Sequence, residues 1–192
     1  MKKEELLSKI RKNINKTYDM PSFDNMKGVV YEDKLKQFAE MSKTVGGKVV
    51  ELQEGQDINE LIRKTYPEAK VIASNLKEIT IANRNPDLVV EANDLNGTDV
   101  GVVKGMFGVA ENGCIWVPQT MKEKAVCFIS EYLVILLDKS QIVNNMHEAY
   151  ARIEFNDYGY GCFISGPSKT ADIAQALVMG AQAARGVTVV LT

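Results

Sequence analysis

The sequence predicts one α/β domain built on a mostly parallel sheet that helices cover. Short segments rich in valine and isoleucine alternate with segments whose apolar residues recur at helical spacing. The final third reads as strand, helix and strand with short joints, which is the βαβ arrangement of parallel sheets. The 192 residues, 45% of them apolar, are enough for one domain with a sizeable core.

The first half of the chain predicts three helices and four short strands. Leu7, Ile10 and Ile14 form an apolar stripe, so residues 1–20 are expected to be an N-terminal helical extension of a single domain spanning 1–192. Two further helices are predicted over 35–45, where Gly46-Gly47 ends the pattern, and over 58–66. The predicted strands are 28–31, 48–52, 71–73 and 88–90.

The second half begins with five glycines between positions 97 and 113, which predict tight turns or close backbone contacts. Asn112-Gly113 is typical of a hairpin turn and predicts pairing of 106–107 with 114–116. The other predicted elements are strands at 115–117, 132–137, 162–164 and 187–191, and helices over 142–153 and 173–181.

Charge and hydropathy exclude several functional classes. Lys and Arg total 23 against 25 Asp and Glu, a formal net charge of −2, whereas a nucleic-acid binder usually has a basic excess. No run approaches the ~20 apolar residues that span a bilayer, and the first residues are polar. We therefore expect a cytoplasmic protein with no membrane span.

The three cysteines, Cys114, Cys127 and Cys162, each lie in an apolar stretch and are expected to be buried thiols. The chain has no CxxC pair and only His147, which predicts a structural histidine and no metal site. No GxGxxG motif is present, so no cofactor is evident.

Residues 165–173 (SGPSKTADI) are the most informative segment. Its Gly-Pro pair ends the preceding strand, and Ser168 is well placed to cap a following helix. Free backbone N–H groups, the hydroxyls of Ser165 and Thr170 and the charge of Lys169 would suit a phosphate or carboxylate. In an open sheet, such a site is expected at the carboxyl ends of the strands. Alternatively, the hydroxyls only cap the helix, and composition leaves both interpretations open.

Glu111 precedes the Asn112-Gly113 turn among apolar neighbours. Partial burial would raise the pKa of its carboxyl group, as a general acid or carboxylate nucleophile requires. The alternative is a solvated turn residue.

Both segments resemble elements of a known family. SGPSKTADI is similar to the signature of the lactate-utilisation (LUD) domain, the family of lactate utilization protein C, and Ala110-Glu111-Asn112-Gly113 resembles that family's Ala-Glu-Thr-Gly-Thr element. The resemblance covers residues 94–192 well. Two family histidines have no counterpart here: one before the strand at 132, and one in a Gly-Val-His-Gly-Pro element that is replaced at 180–186.

The resemblance implies a fold like that of the NagB/RpiA/CoA-transferase group and a part in oxidising lactate to pyruvate beside iron–sulfur and redox subunits. Because the chain lacks cysteine clusters, the resemblance implies an accessory subunit or a small-molecule-binding protein. Its ligand would be a small anion or carboxylate, and a homo-oligomer is compatible with the sequence. The expected binding residues are Asn112, Gly113, Ser165, Gly166, Pro167, Ser168, Lys169, Thr170 and Asp172, with Glu111 as the candidate catalytic residue.

Two other functions stay open. Coenzyme A transferases use the glutamate of a Glu-Asn-Gly triplet to form a glutamyl thioester, and Glu111 stands in such a triplet. A regulator that binds a small molecule without catalysis would use the same Ser168 segment.

Overall fold

The structure is a computed structural model that describes residues 2–14, 16, 18–22, 27–173 and 176–192; the side chains of 171–177 are not part of that description. In chain order its elements are α1 (Lys3–Lys12), α2 (Lys34–Thr44), β1 (Lys48–Glu51), α3 (Ile58–Thr65), β2 (Ile72–Ala73), β3 (Val100–Lys104), β4 (Phe107–Val109), β5 (Ile115–Pro118), α4 (Val126–Ile129), β6 (Tyr132–Leu137), β7 (Ile142–Val143), α5 (Met146–Ala151), β8 (Gly161–Ile164), β9 (Lys169–Ile173), β10 (Ala176–Met179) and β11 (Gly186–Leu191). Two 3₁₀ turns, Ala92–Leu95 and Lys139–Gln141, complete the set.

The central sheet has five parallel strands in the order β1-β11-β6-β3-β2. Strands β6 and β11 lie inside it and are buried over nearly their whole length, which matches their apolar sequences, in which Thr188 is the one buried polar residue. The predicted mostly parallel, helix-flanked sheet is therefore confirmed, as are the N-terminal helix and the helices at α2 and α3.

A second sheet, in the order β7-β4-β5-β8, lies against one face of the central sheet. Leu133, Ile135 and Leu137 of β6 share a core with Ile115 and Phe38, which belong to β5 and α2. Alternate residues of the same strand point the other way, where Val134 and Leu136 pack with Ile62 of α3. The central sheet thus has a helix on each face, and the second sheet adds a layer that the sequence did not predict.

After β8 the described residues form two antiparallel strands, β9 and β10, and not the predicted helix; residues 174–175 of that predicted helix lie outside the described residues. Strands β9 and β10 pair antiparallel, with Thr170 opposite Val178 and Lys169 opposite Met179. Ile173 and Leu177 stand at helical spacing in the sequence, but a short apolar run satisfies both periods, and here the strand pairing decides. The predicted βαβ unit of the final third is therefore wrong.

Three other predictions also fail locally. Residues 28–31 form no strand, and the Tyr31 N–H donates to the Asn144 side-chain oxygen at 3.0 Å. Residues 88–90 form no strand, and Leu88 is 80% exposed. The helix predicted over 142–153 begins only at Met146, because residues 142–143 form β7 beside β4.

The predicted hairpin at Asn112-Gly113 is confirmed, since β4 and β5 pair antiparallel on either side of the turn. Within the described part of the chain, no helix combines the length and apolar character needed to cross a bilayer.

Candidate functional site

The two candidate segments meet in space. The Ser165 hydroxyl donates a hydrogen bond to the Asn112 carbonyl oxygen at 3.1 Å. Both segments also contact the carboxyl-terminal end of α2, where the Ser42 hydroxyl donates to the Gly113 carbonyl at 3.4 Å and the Lys169 ammonium donates to the Val45 carbonyl. The two segments are thus joined by a hydrogen bond, and the end of α2 is their common support.

Two glycines allow this close contact. Gly113 has φ +67° and Gly166 has φ +65°, values that residues with a Cβ atom rarely adopt. A Cβ atom at Gly166 would lie 2.5 Å from the Val45 carbonyl oxygen, and one at Gly113 would lie 2.6 Å from the Ser42 nitrogen. Packing against α2 therefore accounts for the residue type at both positions.

Ser168 does not begin a helix, so the predicted unpaired N–H donors of a helix start are absent at this residue. Its N–H donates to the Ala184 carbonyl at 2.9 Å, and its carbonyl accepts from the Gly180 N–H at 3.0 Å. Ala184 precedes the start of β11, so the segment lies at the amino end of the central strands and not at the predicted carboxyl edge. The Ser168 N–H is therefore already engaged and is not free to bind an anion.

A cavity of about 390 Å³ adjoins this segment, and we call it the signature-loop cavity. Its lining residues are Cys127, Phe128, Leu133, Phe163, Ile164, Ser165, Gly166, Pro167, Ser168, Lys169, Gln182, Ala183, Ala184 and Val187. Sequence reasoning missed Phe128 and Gln182, because only the fold brings α4 and the 180–185 segment beside Ser168.

The other predicted ligand residues are placed differently. Thr170 lies in the β9–β10 ladder and does not line the cavity. Asp172 belongs to β9, and its side chain is outside the description. Lys169 lines the cavity, while its ammonium group contacts the end of α2.

Glu111 is exposed, so the solvated alternative fits better than partial burial. Its carboxylate accepts the backbone N–H of Met146 at 2.9 Å, which is the first residue of α5. A carboxylate stabilises the N-terminal N–H groups of a helix in this position. Glu111 does not line the signature-loop cavity.

Burial keeps the thiols of the chain neutral. It raises the pKa of Cys114 and of Cys127 from 9.0 to about 12, and raises the pKa of Cys162 as well. Cys127 therefore presents a neutral thiol to the cavity at physiological pH. The described residues contain no group of three or more His, Cys, Asp or Glu side chains arranged to hold a metal ion.

The fold and site define an α/β domain with a parallel sheet, a second sheet against one face, and a small cavity beside a Ser-Gly-Pro-Ser loop. The family model described as the LUD domain matches residues 35–192, and this chain belongs to that family. Both candidate segments lie inside the matched region, whereas α1 lies before it.

A crystal structure of a DUF162 family protein from Deinococcus radiodurans shares this fold. It aligns with a TM-score of 0.61 at 13% sequence identity and covers 85% of this chain and 99% of that protein's chain. The comparison with curated proteins found no significant match.

Proposed function

We propose that this protein is an accessory, small-molecule-binding subunit of lactate utilisation, acting beside redox subunits that oxidise lactate to pyruvate. The observation that carries the proposal is the LUD-domain match over residues 35–192, since lactate-utilisation proteins are associated with this family. The three cysteines have no CxxC spacing, and burial keeps Cys114 and Cys127 in the thiol form that a metal cluster does not use. This supports an accessory role.

The proposed ligand is a small carboxylate bound in the signature-loop cavity. The Ser168 hydroxyl and the Gln182 amide supply polar groups at its wall, and Phe128 and Leu133 supply apolar surface. A small pocket with few polar groups on an apolar lining is typical of sites for small metabolites.

Growth tests the role in lactate utilisation. Deleting the chromosomal gene should slow growth of the host on L-lactate but not on pyruvate, and the wild-type gene should restore growth. A double variant, Ser168→Ala with Gln182→Ala, should restore it poorly, while Ser8→Ala, on the exposed face of α1, should restore it fully. Normal growth of the deletion strain on lactate would overturn the proposal.

Calorimetry tests the ligand. Titration of the purified protein with L-lactate and with pyruvate should show binding of at least one acid, weakened in the double variant and unchanged in Ser8→Ala. Equal affinity in all three proteins would remove the signature-loop cavity from the proposal.

Among the described residues, no contact favours the coenzyme A transferase alternative. Its nucleophile would be the Glu111 carboxylate, which is engaged by the Met146 N–H and lies outside the signature-loop cavity.

A further inference from the structure

A second cavity, of about 620 Å³, lies at the opposite edge of the central sheet. Strands β2, β3 and β6 all end there, and β5 of the second sheet ends beside them, so we call it the carboxyl-edge cavity. Its walls come from the segments that follow these four strands, at 75–76, 104–106, 118–120 and 138–141. Ligands of open parallel sheets usually bind at the carboxyl ends of the strands.

The backbone at this edge is held firmly. The Gly105 N–H donates to the Leu136 carbonyl at 2.8 Å, and the Met106 N–H donates to the Trp116 carbonyl at 2.9 Å. A Cβ atom at Gly105 would lie 2.5 Å from the Ile115 side chain, so the turn between β3 and β4 is tightly packed. The cavity is therefore bordered by fixed strand ends on this side.

The lining combines an apolar surface with one cation. Leu76, Met106 and Pro118 provide the apolar part, and Met106 is 40% exposed. Lys104 ends β3 at the cavity wall, and the structure records no ion pair for it among the described residues.

One carboxylate, that of Asp138, also lines the cavity. Hydrogen bonds from Ser140 are the main cause of a lowered Asp138 pKa, with smaller contributions from the charges of Lys104 and Lys139. The Ser140 N–H donates to this carboxylate at 2.8 Å, and this hydrogen bond holds the carboxylate against the turn at 138–141.

We propose that the carboxyl-edge cavity binds an amphipathic organic anion larger than lactate, with its acidic group on the Lys104 ammonium and its apolar body on Met106, Leu76 and Pro118. The volume is within the usual range for sites that enclose drug-sized molecules. The site is separate from the signature-loop cavity, and this inference does not depend on the role in lactate utilisation.

The probe that tests it is 8-anilinonaphthalene-1-sulfonate, an aromatic sulfonate whose fluorescence rises in apolar surroundings. The folded wild-type protein should bind it saturably. Lys104→Met keeps the apolar stem and removes the charge, so it should weaken binding about fivefold or more. Lys77→Met, an exposed lysine outside the cavity, should change affinity less than about twofold.

Two further variants should change the affinity for the probe in opposite directions. Asp138→Asn removes a competing negative charge and keeps an oxygen for the Ser140 N–H, so it should tighten probe binding. Met106→Gln removes apolar contact at an exposed position and should weaken it. Amide chemical shifts should change most at Gly105, Thr120 and Gln141. Absent binding, equal affinity in the wild type and Lys104→Met, or shifts centred on Gly166 would overturn the proposal.

Discussion

Gly113 packs against the backbone of Ser42 so closely that a Cβ atom on Gly113 would lie 2.6 Å from the Ser42 nitrogen. Helix α2 thus fixes the turn that follows Glu111. Gly166 makes the same kind of close contact with Val45, which directly follows α2. Several residues of the two signature segments therefore have a structural role that can be measured separately from ligand binding.

We expect Gly113→Ala to lower the free energy of unfolding by more than about 2 kcal/mol, because left-handed strain and overpacking add together. Gly97→Ala is the matched control: Gly97 also has positive φ, +74°, but nothing lies within 4 Å of its added Cβ atom. That variant should lose only about 1 kcal/mol. Urea unfolding measures both, and equal losses would show that the contact with Ser42 contributes nothing.

Ser165→Ala should lower the free energy of unfolding by about 0.5–1.5 kcal/mol, since it removes the hydrogen bond to Asn112. Ser8→Ala removes a serine hydroxyl from the exposed helix α1 and should leave stability within about 0.5 kcal/mol of the wild type. Thermal unfolding of both variants gives the comparison. An unchanged midpoint for Ser165→Ala would mean that the two segments are joined by other contacts.

Glu111→Ala should destabilise the protein by about 1 kcal/mol, because the Met146 N–H loses its acceptor at the start of α5. Glu111→Gln keeps an acceptor oxygen and should lose less. If the residue acts only in this way, incubation with acetyl-CoA followed by hydroxylamine should leave no modified Glu111 in a mass spectrum. A hydroxamate on Glu111 that Glu111→Gln abolishes would instead support the coenzyme A transferase alternative.

Alkaline pH should destabilise the protein through its buried thiols. The pKa of Cys127 is raised from 9.0 to about 12 in the folded state, so the folded protein binds this proton more tightly than the unfolded chain does. The contribution of this thiol to the free energy of unfolding is fully present below pH 9 and is lost as the pH rises towards 12. Over that range, the free energy of unfolding falls by at most about 1.4 kcal/mol per pH unit for each thiol.

Urea titrations at pH 8, 9.5 and 10.5 under reducing conditions measure this loss. Cys127→Ala should show a shallower decline than the wild type, while Cys114 still contributes in both proteins. A decline of identical slope would contradict the prediction for Cys127.

The sequence located the candidate segments but not their surroundings. Residues 110–113 and 165–173 could be recognised because their order of residues resembles two elements of the LUD domain. Phe128 and Gln182 carry no such pattern, and they line the cavity only because α4 and the 180–185 segment fold against Ser168. The orientation of the Glu111 carboxylate towards α5 likewise depends on contacts far apart in the sequence.

The sequence by itself determined those helices, strands and turns whose residue pattern is local and strong. Segments rich in valine, leucine and isoleucine predicted β6 and β11, helical spacing ended by glycines predicted α2, and Asn112-Gly113 predicted the β4–β5 hairpin. Only the tertiary structure decided that β9 and β10 pair as antiparallel strands and that Ser168 hydrogen-bonds Ala184, just before β11. The physical reason is that a short apolar segment satisfies helical and strand periods equally, so partners distant in the chain choose between them.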